Sequence, residues 1–549
     1  MSAVLPKRIL MIGLDGATFD ILRPLMEADC LPNLSSLLEQ GSHAPLLSTI
    51  PPLTAPAWST FATGVNPGKH GVFEFFQRSR DESREVVTSG SLRCPTLWDY
   101  LGQAGKRVGL VNVPMTYPPQ PIHGFTVSGI PAPLRPRVFT YPPELTERLP
   151  GYRIDLPYFL GGREFQAEYV PAAKRLLKDL RELMEVRGEY ALKLMREERW
   201  DLFMVVFTET DRVGHYLWPS LEELVCEAKR SPGSELELWF SALDEVIGHL
   251  IQEAGPDTGI LVVSDHGMGP AASRRFFLND WLLQSGFLSL RGRAWGNPNT
   301  WLWRLGISRD AAARLLGWLP RTWLGILRAR VGRTDVPVDY QKSRAYMQPI
   351  YEFMAGIRLV EGALPEAACT ELLEEIIAVL LGATDPNTGK PIVDKIYRRD
   401  EIYHGPYVST SPDLIAMLDS DFVASHRVGN KALVADRQEI QTNVLVTGAH
   451  RFEGVFAAKG PGIRRRRSPH FAFRLQDIAP SVLYLLGLPV PDHMDGRVLL
   501  EIMDESLTRR KPVRYANGVL TASITERPGL TAREEAEVRR QLEGLGYLG

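Results

Sequence analysis

Seven side chains in this sequence are of the types that ligate divalent metals or attack phosphorus, and each lies where the local character changes abruptly. Asp265 and His266 are adjacent, just past the apolar run 259–263, with a glycine behind them; Asp15 closes the similar run 9–14. Asp211 and His215 follow the run 201–207, His450 lies in Gly448-Ala-His450-Arg451, and Thr54 sits in a proline-rich stretch, 48–64. Three carboxylates and three imidazoles form a mixed oxygen and nitrogen donor set, which suits Zn²⁺, with Mn²⁺ favoured where carboxylates dominate. Asp211 and His215 are four residues apart, so a single helical turn places them on one face. A helix starting near Thr54 would put that hydroxyl beside backbone N–H groups and the positive end of a dipole, which suits an oxygen that must meet an anionic phosphate. The competing reading makes Thr54 an N-cap and Asp15 a turn or cap residue.

The elements that must position these groups are legible as periodicity. Residues 9–14, 107–113, 201–207 and 259–263 are continuous and β-rich, the pattern of strands buried on both faces of a parallel sheet. In such sheets ligands gather beyond the carboxyl ends of the strands. Asn112 lies near one such end and is a candidate substrate contact. His70, in the turn Asn66-Pro-Gly-Lys-His70-Gly71, is a second one that ranks as structural first. Residues 168–198, 234–255, 274–290 and 476–488 read as helices, as does a charged amphipathic tail, 531–547, that could cover an edge or a partner. His450 is expected in a loop between two strand-like runs, the second at 454–460. Residues 356–360, a helix over 366–381, and 413–417 suggest a small α+β part.

Residues 291–333 stand apart: five tryptophans (Trp295, Trp301, Trp303, Trp318, Trp323) and nine arginines, with Asp310 the only acid. That composition fits an interfacial amphipathic surface giving peripheral membrane contact, a hydrophobic lid, or a helical pair packed on the core. The expected organisation is a catalytic α/β core over 1–270 and 441–505, an inserted lid or cap over 271–440, and a tail over 506–549.

With 549 residues, 44% of them hydrophobic, the chain can bury a large core or several. A formal charge of -2 supplies no field to attract a nucleic acid polymer. Cys30, Cys94, Cys226 and Cys369 form no CxxC pair, which argues against a disulfide framework or thiolate zinc site. No stretch approaches the roughly 18 to 20 apolar residues of a membrane span, and the expected compartment is the cytoplasm.

Taken in order, Gly13-Leu-Asp15-Gly16, Thr54-Ala-Pro56, Ser59-Thr-Phe-Ala-Thr-Gly64, Pro67-Gly-Lys-His70-Gly71, Asp211-Arg-Val-Gly-His215, Ser264-Asp265-His266-Gly267 and Gly448-Ala-His450-Arg451 resemble the motifs of the alkaline phosphatase superfamily, within it the type I phosphodiesterase/nucleotide pyrophosphatase branch. The resemblance implies a three-layer α/β sandwich with a central, mostly parallel sheet, an inserted lid, and two metal ions. Asp211, His215 and His450 would hold one ion. Asp15, Asp265 and His266 would hold the other, which Thr54 touches as nucleophile of a phosphothreonine intermediate. The implied substrate is a small-molecule phosphoester.

Two departures stand out. The asparagine usual soon after the His-Gly motif is missing from Val72-Phe-Glu-Phe-Phe76, leaving Asn112 as the candidate replacement, and residues 291–333 lie outside the stretches that carry the resemblance. Thr54-Ala-Pro-Ala-Trp58 lacks the Cys/Ser and arginine of a sulfatase motif. Phosphomonoesterases and phosphomutases of the same superfamily, usually with serine, are the nearer alternative, and a non-catalytic metal-binding or membrane-surface adaptor is the alternative from another class.

Overall fold

The computed structural model describes residues 4–78, 84–156, 169–226, 233–291, 338–351, 353–360, 362, 365–428, 433–436, 446–467, 472–517 and 529–544. The chain forms two compact units, one comprising 1–270, 403–408 and 445–548, the other 271–402 and 409–444.

The first unit is built on a ten-stranded sheet. Its path runs Arg466–Arg467, Ser42–Leu47, Glu453–Lys459, Thr258–Val263, Arg8–Leu14, Leu202–Phe207, Val108–Val113, Gly124–Ser128, Thr140–Tyr141, with Phe473–Arg474 beside Ser42–Leu47. The five strands from Thr258–Val263 to Gly124–Ser128 are parallel. They are apolar throughout because both faces are covered. On one face Trp58, Phe61, Leu101 and Val482, from helices Thr54–Thr63, Leu97–Gln103 and Ile478–Leu485, pack with Ile9 and Met11. The other face carries Pro32–Gln40, Tyr169–Glu197, Glu209–Val225 and Glu235–Ala254, packed on one another.

Strand register sets the site. Gly13 lies opposite Val206 and Val263, so the chain leaves the sheet at Asp15, Thr208 and Asp265 at nearly one level. The helix after Leu202–Phe207 begins at Glu209, which brings Asp211 and His215 into its first turns. A fully buried ion pair between Glu209 and Arg187 ties that start to the Tyr169–Glu197 helix. The tail helix Ala532–Gly544 docks on the same unit: Glu534 accepts from the Tyr117 hydroxyl at 3.2 Å, Glu537 accepts from the Leu134 amide at 2.8 Å, and Val538 and Leu542 are buried.

The second unit holds an antiparallel sheet in the order Ala345–Tyr351, Met354–Leu359, Leu414–Leu418, Val393–Arg398, with the helix Glu366–Leu381. A three-stranded sheet places Arg274–Phe277 between Phe422–Ser425 and Val434–Asp436. Residues 274–290 are therefore not one helix: Arg274–Phe277 is a strand and the helix is Leu278–Gln284. Two partner strands from about 150 residues onward impose that choice on a sequence whose local pattern suits either state. The arginine- and tryptophan-rich stretch beyond Arg291, residues 443–445 and the last part of the tail lie outside the described residues. Among the described residues no helix is long and apolar enough to cross a membrane, and none of the four cysteines forms a disulfide.

Candidate metal centre

Thr54 is the first residue of the helix Thr54–Thr63, whose N-cap is Leu53 and which has no side-chain cap. The hydroxyl is thus not used for capping. Its oxygen lies 3.5 Å from His266 Nε2. Pro56 is tolerated because first-turn N–H groups have no intrahelical partner to lose. Asp15 caps nothing either; the cap of the following helix is Thr18. Gly16 makes the turn possible, with φ +67° and Asp211 so close that an added Cβ would meet its Cα at 3.2 Å.

His450 departs from expectation: it lies in a strand, Gly448–Arg451, not a loop. That strand pairs antiparallel with Gly267–Pro270, setting His450 opposite Met268. The pairing joins two ligand-bearing stretches far apart in sequence, and the His266 and His450 rings stack with centroids 3.6 Å apart. Arg451 ties the ribbon together, donating to the His450 and Pro270 carbonyls.

All six metal-type side chains converge, and all are buried. The ligand atoms of Asp15, Asp265 and His266 lie within 4.8 Å of one another, as do those of Asp211, His266 and His450, so His266 belongs to both groups. His215 joins through His450, its Nε2 2.9 Å from the other Nε2 and 3.3 Å from Asp211 Oδ1.

The hydrogen bonds around the cluster decide what it can bind. His215 Nδ1 faces the Gly448 carbonyl at 3.0 Å, His450 Nδ1 the Pro52 carbonyl at 2.7 Å, and His266 Nδ1 the Gly267 carbonyl at 3.0 Å. A carbonyl can only accept, so each Nδ1 carries the proton and each Nε2 turns a lone pair inward. Two such lone pairs 2.9 Å apart repel unless a proton or a metal cation lies between them. The carboxylates show the same division. Trp58 Nε1 donates to Asp15 Oδ2 at 3.0 Å, Arg212 to Asp211 Oδ2 at 3.2 Å, and the Gly16 amide to Asp265 Oδ1 at 3.3 Å. The opposite oxygens, Asp15 Oδ1, Asp211 Oδ1 and Asp265 Oδ2, are buried and carry no hydrogen bond.

Burial, then the Asp211 charge, push the Asp15 carboxyl up to about 8, and burial with Asp15 and Asp211 raises Asp265 well above the usual range. Burial lowers His450, and lowers His266 further with His450 beside it. Crowded acids and neutral imidazoles are the groups a dication relieves, so the donor set fits divalent metal.

Two other expected contacts are not in this cluster. The Asn112 side-chain N–H groups face the Val206 carbonyl at 3.0 Å and Thr208 Oγ1 at 3.5 Å, and its residue adopts φ 57°. Its donors are used within the sheet and at the strand end beside it. His70 is fully buried, with Nε2 2.9 Å from Thr60 Oγ1 and Nδ1 accepting from the Val72 amide. It fastens the turn after the Thr54 helix. Trp58 and Arg212, the donors to Asp15 and Asp211, had no role in the sequence reading. Their only signals were the four-residue offset of Trp58 from Thr54 and the adjacency of Arg212 to Asp211.

Acidic and imidazole side chains crowded at the carboxyl edge of a parallel sheet form a site able to hold divalent metal. Residues 9–450 match the type I phosphodiesterase / nucleotide pyrophosphatase family, to which the chain belongs. An uncharacterized pyrophosphatase/phosphodiesterase of Schizosaccharomyces pombe is 26% identical over 287 residues, which is 51% of this chain and 48% of that protein. The match thus spans about half the length of that relative. Phosphonoacetate hydrolase from Sinorhizobium meliloti 1021 has a similar fold, with TM-score 0.51 and 17% identity over 89% of this chain and 98% of that one. Human ectonucleotide pyrophosphatase / phosphodiesterase 5 aligns with TM-score 0.50 and 15% identity, covering 90% of this chain and 100% of that one.

Proposed function

We propose that the protein is a two-metal phosphodiesterase/pyrophosphatase with Thr54 as nucleophile, acting on a small-molecule phosphoester. The observation that carries this reading is the set of three inward carboxylate oxygens without hydrogen bonds, facing three inward imidazole lone pairs beside the uncapping Thr54 hydroxyl. Asp211, His215 and His450 would hold one ion; Asp15, Asp265, His266 and Thr54 would hold the other, and Zn²⁺ suits the donors best. Divalent ions bound there supply Lewis-acid chemistry, offsetting phosphoryl charge and favouring ionised oxygen nucleophiles. Thr54 Oγ1 then attacks phosphorus in line, forming a phosphothreonine as the bond to the leaving oxygen breaks. Water hydrolyses that ester and restores the hydroxyl. The N-terminus of the Thr54 helix turns its partial positive charge toward the anionic phosphoryl group.

Metal analysis of the purified protein, paired with hydrolysis of bis-p-nitrophenyl phosphate and p-nitrophenyl phosphate, tests the reading. Two ions per chain and faster diester hydrolysis are expected. Monoester preference would move the assignment to a phosphomonoesterase or phosphomutase, and two bound ions with no esterase activity would leave a metal-binding adaptor.

A further inference from the structure

We propose that Trp58 is a positioning residue of the metal centre: its indole N–H holds one oxygen of Asp15 so that the other is delivered to a cation beside His266 and Thr54. The inference rests on the reading of Asp15 as a metal ligand. Trp58 is 1% exposed and lies four residues after Thr54, on the same face of a helix whose every residue is buried. Its Nε1 donates to Asp15 Oδ2 at 3.0 Å, while Oδ1 carries no hydrogen bond and lies 3.5 Å from His266 Nε2. Thr54 Oγ1 is 3.5 Å from that same nitrogen. One helical turn therefore places the nucleophile and, through Trp58, orients a carboxylate of the ion it meets.

Packing alone does not account for this. Trp58 stacks edge-on with Phe61 at 5.1 Å, a contact that any large ring could make. The strand leading to Asp15, however, has glycine where the indole passes: a Cβ on Gly13 would meet Trp58 Cη2 at 2.8 Å. The donor's charge also matters. Arg212 brings a full positive charge to Asp211, whereas the donor to Asp15 is a neutral indole N–H that fixes one carboxylate oxygen without forming an ion pair.

The test replaces Trp58 with 3-benzothienylalanine, which keeps the bicyclic shape and lacks the N–H, with Trp58→Phe as a second variant. Each metal-free protein is titrated with Co²⁺ followed by absorption and with Zn²⁺ by calorimetry. The expected result is about a 10- to 100-fold loss of affinity for one of two ions, as other orienting partners give, with the second ion unaffected. The thermal midpoint of the metal-free isosteric variant should match that of the unaltered protein. Unchanged affinities in the isosteric variant, or equal losses at both ions accompanied by a lower metal-free midpoint, would overturn the inference and leave Trp58 a packing residue. Failure of the unaltered protein to bind two ions would instead overturn the functional reading, and this inference with it.

Discussion

At the scale of single residues, the centre works by dividing labour within each side chain: one atom is held by the protein and the other is turned inward. Thr54 is the exception, since its hydroxyl is neither a cap nor a packing group. Thr54→Ala should lower kcat by at least about 10³-fold, as loss of a nucleophile does. Two ions should remain, read by metal analysis; undiminished turnover would remove Thr54 from the reaction. Asp265→Asn should cost one ion and nearly all turnover, because it removes the negative charge from a buried carboxylate whose inward oxygen accepts no hydrogen bond. His70 makes a prediction about stability instead. Burial lowers its pKa from 6.5 to about 3, so below pH 6.5 the unfolded chain takes a proton that the folded one refuses. Its contribution is whole above pH 6.5 and is lost as pH falls toward 3, at about 1.4 kcal/mol per pH unit. Denaturant titrations at pH 6.5 and 5.5 should show a steeper loss for the unaltered protein than for His70→Asn, and parallel losses would contradict the buried neutral imidazole.

At the scale of elements, the decisive piece is the ribbon formed by Gly267–Pro270 and Gly448–Arg451. It must approach the Glu209–Val225 helix closely enough for His215 to reach the Gly448 carbonyl at 3.0 Å. Glycine makes that approach possible: a Cβ at Gly448 would meet the Gly214 carbonyl oxygen at 2.1 Å, and backbone cannot rotate away as a side chain can. Gly448→Ala should therefore push His450 from His215 and weaken the ion those two share by 10-fold or more, on the order of a lost orienting contact. Calorimetric titration of the metal-free variant would show it. An unchanged affinity would mean that the ribbon has more freedom than its contacts allow.

At the scale of the whole molecule, the two units raise the question of what the inserted part adds. Leu290 and Val338 pair as an isolated bridge, and the Asp339 amide donates to the Ser289 carbonyl at 2.8 Å, so the chain leaves and returns at neighbouring points. Replacing residues 292–337 with a short Gly/Ser loop should then leave both units folded and small-diester hydrolysis within a few-fold of the original, since loop-closure cost changes slowly with length. Loss of hydrolysis of bis-p-nitrophenyl phosphate would assign the segment to the reaction itself. The membrane-contact reading of its tryptophans and arginines predicts that the unaltered protein sediments with anionic vesicles and that the deletion abolishes this.

The sequence by itself carried the central strands and the candidate side chains beyond them, because the apolar runs 9–14, 201–207 and 259–263 end beside Asp15, Thr208 and Ser264-Asp265-His266, where the buried sheet meets its polar edge. These are local patterns, and they survive folding. Tertiary structure alone decided the rest. Arg274–Phe277 became a strand, and His450 a strand residue, because partners far along the chain supplied the hydrogen bonds. Asn112 donates its amide to the neighbouring strand at Val206, a contact that no local pattern announces. Which oxygen of each carboxylate faces inward depends on Trp58, Arg212 and Gly16, donors whose reach is a matter of ångströms. Spacing along a chain can bring such groups to the same edge, but only the packed backbone sets which atom of each one points at the next.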